Sequence, residues 1–166
     1  MSADYQPSHP ALFTVRFGEG DFSAYLESHK AFEAGQTITK IEGTTNDATK
    51  AYTSVQYGPR EHLELNSDLR YANHSCKPNT AWDLSSPNPG EWYIRALKKI
   101  EVGDSVTFFY PSTEWDMDQP FDCHCGASTC LKKIQGAKYL SLNDVAARGW
   151  VNPWIVQLAQ ERDARN

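Results

Sequence analysis

Four cysteines constrain this chain more than any other feature. Three lie together in Cys123-His124-Cys125-Gly126-Ala127-Ser128-Thr129-Cys130, a C-x-C-x4-C run, and the fourth, Cys76, stands 47 positions before the first of them (123 minus 76). Two thiolates one residue apart turn readily toward a common ion, and Gly126 lets the backbone curl around it. A structural zinc site takes four ligands in a tetrahedron. Three come from the run and Cys76 is the remaining cysteine, so an all-thiolate site using every cysteine follows by arithmetic, with His124 as a competing ligand. The other reading is two disulfides. Met1 to Pro10 is polar and predicts neither a signal peptide nor a membrane span, hence a reducing compartment in which clustered cysteines more often hold metal. Zinc at these positions ties the C-terminal third back onto the middle of the chain. Residues 111–140 then form one wall of whatever site lies there, and losing the metal disorders that wall before it melts the β core.

Cys76 sits inside Arg70-Tyr71-Ala72-Asn73-His74-Ser75-Cys76-Lys77-Pro78-Asn79, which mixes polar, ring and thiol side chains as neither a free loop nor a core strand does. Short strands are predicted around it. Leu12 to Phe17 alternates, and Gly18-Glu19-Gly20 breaks it, as a tight turn or as a place where backbone approaches a ligand. Phe22–Leu26, Thr37–Ile41, Tyr52–Tyr57 and Leu63–Leu65 read as further strands, with a polar loop over 43–50. Thr80–Leu84 and Glu91–Leu97 form a hairpin across a turn at 85–90. Ser105–Tyr110 is the last clear strand, with Val106, Phe108 and Tyr110 on one face and Phe109 on the other. Glu114, Asp116, Asp118 and Asp122 follow in a stretch without periodicity, read as a solvated loop or as the lining of a groove for a basic peptide. Ser141 and Asp144 cap a short helix that stops near Gly149, and Pro153 opens a second with Trp154, Ile155, Leu158 and Arg162 on one face. The fold class is mostly β with a helical C-terminus.

With 166 residues the chain makes one domain with a sizeable core. Its formal charge of −5 and the absence of a Lys/Arg run argue against a nucleic-acid-binding face. An acidic surface suits a cationic partner or plain solubility.

These residues carry a resemblance. The stretch 70–79 resembles the R-x-x-N-H-S-C-x-P-N signature of SET-domain protein lysine methyltransferases. Gly103 to Tyr110 looks like their G-[ED]-E-[LI]-T-F-D-Y strand, Cys123 to Cys130 like their post-SET zinc motif, and Gly18-Glu19-Gly20 like their N-terminal G-x-G. The match spans roughly 12–135. It implies a tail over 1–11, a SET domain over 12–118, a post-SET zinc segment over 119–135 and a helical extension over 136–166. The family fold consists of small β-sheets with a knot-like crossing, in which the chain around Tyr110 threads beneath a loop near Asn73.

The resemblance also implies S-adenosylmethionine as cofactor, held by Gly18, Glu19 and Gly20, by Arg70, and by Asn73 with His74. A zinc ion would sit on Cys76, Cys123, Cys125 and Cys130. The substrate is a lysine of a protein or peptide, histone or not, entering from the opposite face through a narrow channel. Tyr110 orients its amine, and Phe108 stands where the family uses Phe or Tyr to limit methylation number. Neither nucleic acid nor membrane is expected as a partner. A monomer in the nucleus or cytoplasm is the corresponding expectation.

Three departures mark this chain. Phe109 replaces the family's Asp or Asn, Glu19 stands where Trp is frequent, and the variable insert between 43 and 69 is short. No cysteine-rich pre-SET region or chromatin-reading module is visible in the sequence. Two other functions therefore stand beside the first: methyl transfer to a small-molecule amine, and a SET fold that binds without catalysing.

Overall fold

The computed structural model describes residues 4–166. The alternation at 12–17 becomes β1 (Phe13–Arg16), paired antiparallel with β2 (Tyr25–Ser28) and burying Phe13 and Leu26. β2 begins three residues later than the sequence predicts. The chain through 18–23 is a turn instead, with Gly20 at φ +85° and Phe22 at φ +58°. β3 (Thr37–Lys40) is followed by β4 (Thr44–Asn46) inside the expected loop. Its polar composition is that of an exposed edge strand, paired on one side only. β5 (Val55–Gln56) and β6 (His62–Leu65) complete a sheet of order β4-β6-β5. β7 is only Asn73–His74. The predicted hairpin forms as β8 (Thr80–Asp83) and β9 (Tyr93–Ala96), in register Thr80↔Ala96 to Asp83↔Tyr93, and β3 adds to its far edge. Trp82, Ile94, Leu63, Leu26 and Ile100 are sealed in the core beneath these sheets.

The expected strand 105–110 keeps its alternation but changes partner midway. Ser105 bridges Glu27 and Val106 donates to Leu26, whereas β10 (Thr107–Phe108) runs parallel to β7, pairing Thr107 with Asn73 and Phe108 with His74. Tyr110 does not end the strand; it begins a 3-10 turn through Ser112. Asn79 locks the arrangement with its amide, donating to the Ser105 carbonyl at 2.7 Å and accepting from the Thr107 N–H at 2.9 Å. Thr80 adds a hydroxyl bond to the Thr107 carbonyl. Parallel pairing needs a long connection between the strands, and here the β8–β9 hairpin lies within it.

Beyond the turn, β11 (Phe121–Asp122) and β12 (Lys133–Ile134) form a hairpin that carries the cysteine loop, so 105–110 is not the last strand. α1 (Leu142–Ala146) has the predicted cap, with the Ser141 hydroxyl accepting from the Asp144 N–H. α2 (Pro153–Ala164) docks Trp154, Ile155 and Leu158 on the core, and Arg162 donates to the carbonyls of Ala137, Lys138 and Leu140. Ahead of α2, the buried Asn152 donates to the carbonyls of Trp82 and Ser112 and accepts from the Leu84 N–H. The extension therefore clamps the segment just after Tyr110.

Of the tail expected over 1–11, residues 1–3 lie outside the described residues. From Tyr5 onward the segment is tied down on Asp68, whose carboxylate accepts from the Tyr5 hydroxyl and the Ser8 and His9 N–H groups. Among the described residues, no helix is long and apolar enough to cross a membrane.

Candidate active site and cysteine cluster

The β7–β10 pairing and the turn after it bring the central stretch and Tyr110 face to face. The Tyr110 hydroxyl donates to the Ala72 carbonyl at 3.0 Å, and the Tyr110 N–H donates to Nδ1 of His74 at 3.1 Å. Phe108 lies 4.8 Å from the Tyr110 ring and stacks on Trp82 at 4.3 Å and 19°. Burial, reinforced by the nearby Glu114 charge, pushes the Tyr110 phenol well above its ordinary value. It is therefore a neutral phenol. With its proton directed at Ala72, its oxygen lone pairs are left as acceptors.

Ala72, Phe108 and Tyr110 border a cavity of about 760 Å³, within the range of small-molecule sites. Gly18, Gly20, Arg70, Asn73, Phe108 and Tyr110 all line it. A Cβ on Gly20 would meet nothing within 4 Å, so the backbone there opens directly on the space. The Asn73 amide is fixed by donating to the Ala24 carbonyl at 3.0 Å. Two residues expected at the cofactor are not in this lining. Glu19 is exposed, and His74 turns away into the protein.

Because His74 Nδ1 accepts from Tyr110, the ring proton sits on Nε2, which faces the Cys76 sulfur at 3.3 Å. Burial, with the Arg148 charge second, lowers the His74 pKa to about 3, so the imidazole is neutral. Phe109 lies on the opposite side from Phe108, as its place in the alternation requires. It is buried against His74 at 5.4 Å, and the Arg148 guanidinium rests 5.4 Å from its ring. A cation–π contact thus stands where the resemblance expects Asp or Asn.

Cys76, Cys123, Cys125 and Cys130 converge with all four sulfurs within 4.8 Å of one another. All are free thiols, and the Cys76–Cys123 separation is 4.0 Å, twice a disulfide bond. Tetrahedral Zn–S bonds of about 2.3 Å place sulfurs about 3.8 Å apart, so the donor set fits a zinc ion with little adjustment. The exposed His124 is not part of this group. Burial raises the Cys76 and Cys123 thiols. Burial acts on Cys125 in the same direction but is outweighed by donors, first the Ala127 N–H, which bring it down to about 6. The lobe leans on the site through Phe121, whose ring meets His74 and Tyr110 edge-on. Trp115 instead packs under Arg162, and neither aromatic lines the cavity.

Sequence reasoning gave Glu114 no role of its own. It reads as one acid among four, in a solvated loop or along a groove, and the structure sets it on the cavity wall with Oε2 held by the Gln56 N–H at 3.0 Å and the Thr113 hydroxyl at 2.6 Å. Burial raises its pKa to about 7, against the pull of those two donors. Only the chain folding back through Gln56, 58 residues earlier, buries this acid, and no local pattern signals it. Gly136 lets this region close, since a Cβ there would lie 2.3 Å from the Trp115 carbonyl oxygen and the residue has φ +115°. Of the other acids, Asp118 lines the cavity and Asp116 binds Lys138 and Tyr139.

Comparison with known proteins agrees with this picture. Residues 24–111 match the sequence model described as the SET domain. The chain is 43% identical over 153 residues to Methyltransferase flvH of Aspergillus flavus, covering 92% of this chain and 84% of that one. It is 37% identical over 89 residues to the putative histone-lysine N-methyltransferase ASHH4 of Arabidopsis thaliana, covering 51% of this chain but 23% of that protein. Among solved structures, KRYPTONITE in complex with mCHG DNA and SAH superposes with a TM-score of 0.57 at 22% identity, over 73% of this chain and 29% of that one. This last likeness concerns the fold.

Proposed function

The chain belongs to the SET-domain family of methyltransferases, and from that premise we propose that it transfers a methyl group from S-adenosylmethionine to the ε-amine of a lysine in a protein or peptide. The observation that carries this reading is the Tyr110 hydroxyl anchored on the Ala72 carbonyl, in a cavity also lined by Gly18, Gly20, Arg70 and Asn73. The Arabidopsis relative carries a histone-lysine methyltransferase name, and the KRYPTONITE structure holds SAH, the demethylated counterpart of the proposed cofactor.

The cavity is large enough for this cofactor, and its glycine-opened backbone and fixed Asn73 amide suit a polar nucleoside ligand. Gly18, Gly20, Arg70 and Asn73 are the residues that would hold it. When bound, it supplies an electrophilic methyl group on a sulfonium. The protein's part is alignment of an in-line displacement and provision of a neutral amine. A lysine amine has an ordinary pKa of about 10.4, and an apolar aromatic wall of Phe108 and Tyr110, with Trp82 packed behind Phe108, favours its neutral form. Tyr110, kept protonated, acts as an acceptor that orients the amine and not as a general base. The zinc ion proposed at the four cysteines is structural, since four protein sulfurs leave it no open position.

Two measurements test this. Calorimetric titration of S-adenosylmethionine should show binding that Asn73→Ala loses. Label from the methyl group should then appear in protein. Label found only in small amines would overturn the protein-lysine reading. The Aspergillus relative, of which the chain covers 84%, is named only as a methyltransferase, which makes a small amine the alternative acceptor.

A further inference from the structure

We infer that Glu114 is the residue that meets the charged end of the substrate: its carboxylate pairs with the incoming ammonium and takes one proton from it inside the cavity. This inference rests on the amine-methylation reading above and adds to it the group that makes the amine nucleophilic.

The need for such a group follows from Tyr110. Its O–H is spent on Ala72 and its phenol is held protonated, so it cannot accept the proton. His74 is unsuited as well, with one ring nitrogen on the Tyr110 N–H and the other on Cys76. Glu114 follows Tyr110 by one turn, its N–H donating to the Tyr110 carbonyl at 2.9 Å. Its side chain lines the same cavity as Tyr110 and Phe108.

The carboxylate is placed and yet incomplete. Oε2 is fixed by Gln56 and Thr113, while Oε1 has no hydrogen-bond donor among the described residues. Thr113 is itself held by its N–H on the Tyr110 carbonyl at 3.0 Å, and the Gln56 side chain by the Trp115 N–H and the Gly58 carbonyl, so the mount is rigid. Glu114 takes part in none of the seven ion pairs. The charged groups around it are Lys50, whose field lowers its pKa slightly, and Asp118, Asp21 and Arg70 elsewhere on the cavity wall.

The step balances within the protein. A buried carboxylate and a buried ammonium both lose hydration, and desolvation favours the pair of neutral partners, carboxylic acid and amine. The amine lone pair then forms the new C–N bond to the methyl carbon as the sulfonium C–S bond breaks, with its electrons remaining on sulfur. The product leaves as the methylated ammonium, and Glu114 returns its proton to solvent once the site reopens. An acid with a pKa near 7 is suited to this exchange at neutral pH.

The test combines a rate profile with a direct titration. In wild-type protein with a lysine peptide, kcat/KM should rise with pH through about 7 as Glu114 ionises. Glu114→Gln should lower kcat by roughly 100-fold or more and lose that limb, while affinity for S-adenosylmethionine is unchanged. Independently of turnover, the carbon-13 signal of the wild-type Glu114 carboxyl should titrate near 7 and stay in its protonated form to higher pH when n-butylammonium is added, because the bound ammonium hands its proton to the carboxyl. A Gln variant with the wild-type rate and profile, or a carboxyl indifferent to n-butylammonium, overturns the inference. Transfer to peptide at full rate by the Gln variant would leave the lysine reading standing and remove Glu114. A carboxyl that responds to n-butylammonium in a protein that methylates no peptide would do the reverse.

Discussion

His74 joins Tyr110 to Cys76: its Nδ1 accepts the Tyr110 N–H at 3.1 Å and its Nε2 lies 3.3 Å from the cysteine sulfur. One neutral imidazole thus couples the 3-10 turn that opens at Tyr110 to the cysteine cluster. His74→Ala should leave the Tyr110 N–H without its partner, a cost of about 1–3 kcal/mol. It should also weaken zinc binding roughly 10- to 100-fold by removing a donor to the ligand sulfur. Urea unfolding and competition against a chelator measure the two effects separately. Loss of stability with zinc affinity intact would break the proposed coupling.

Tyr110→Phe removes one hydroxyl and leaves the aromatic packing against Phe108 and His74. The fold should hold, with about 1 kcal/mol lost for the Ala72 hydrogen bond. Methyl transfer should fall by about 100-fold or more, since the lost acceptor orients the reacting amine. Single-turnover kinetics at saturating cofactor gives this directly. An undiminished rate would mean that Tyr110 is only a packed ring.

Zinc removal should act on the wall before the core. Cys76 lies in the central stretch and is buried, whereas Cys123, Cys125 and Cys130 hang on the β11–β12 hairpin, whose strands are two residues each and pair only with one another. After chelation, amide exchange should accelerate across residues 121–134 while β8 and β9 stay protected. Simultaneous loss of protection in both regions would show that the metal supports the whole fold.

Much of this was legible in the sequence, for local reasons. The β8–β9 hairpin, the Ser141 cap, the Pro153 helix start and the cysteine convergence each rest on residues close in sequence or on a ligand count. The misplaced pieces depended on distant partners. The strand at 105–110 kept its alternation, yet it split because its first half bonds to β2 and its second to β7. The loop expected at 43–50 contains β4 because β6 offers it an edge. Asn152 reads as an ordinary polar residue and Asn79 only as the end of the 70–79 signature, and tertiary contacts alone make them buried braces and Glu114 a perturbed acid.

Glu114 also makes stability depend on pH. Its pKa is about 7 in the folded protein, above its ordinary value, so the folded state binds more protons than the unfolded one between roughly 4.5 and 7. Its contribution is therefore fully present below that window and is lost as pH rises through it. The loss is on the order of 1–3 kcal/mol, allowing for the side chain's partial exposure to the cavity. Glu114→Gln should flatten the dependence. Urea midpoints at pH 5 and pH 8 for both proteins check this, and parallel slopes would assign the dependence to other groups.

Phe108 bears on how many methyl groups are added. Its ring is sealed between Trp82 and Tyr110 and presents no polar atom to the cavity. Without a hydroxyl to hold a water at this wall, the amine has space to rotate after the first transfer and present its lone pair again. Di- and trimethylated products are expected from wild-type protein. Phe108→Tyr should shift the product toward monomethyl-lysine, because the added hydroxyl needs a hydrogen-bonding partner and a water beside the amine supplies one. Intact-mass analysis over a time course distinguishes the outcomes. Monomethyl product alone from the wild-type chain would mean that the space beside Phe108 is already closed by another group.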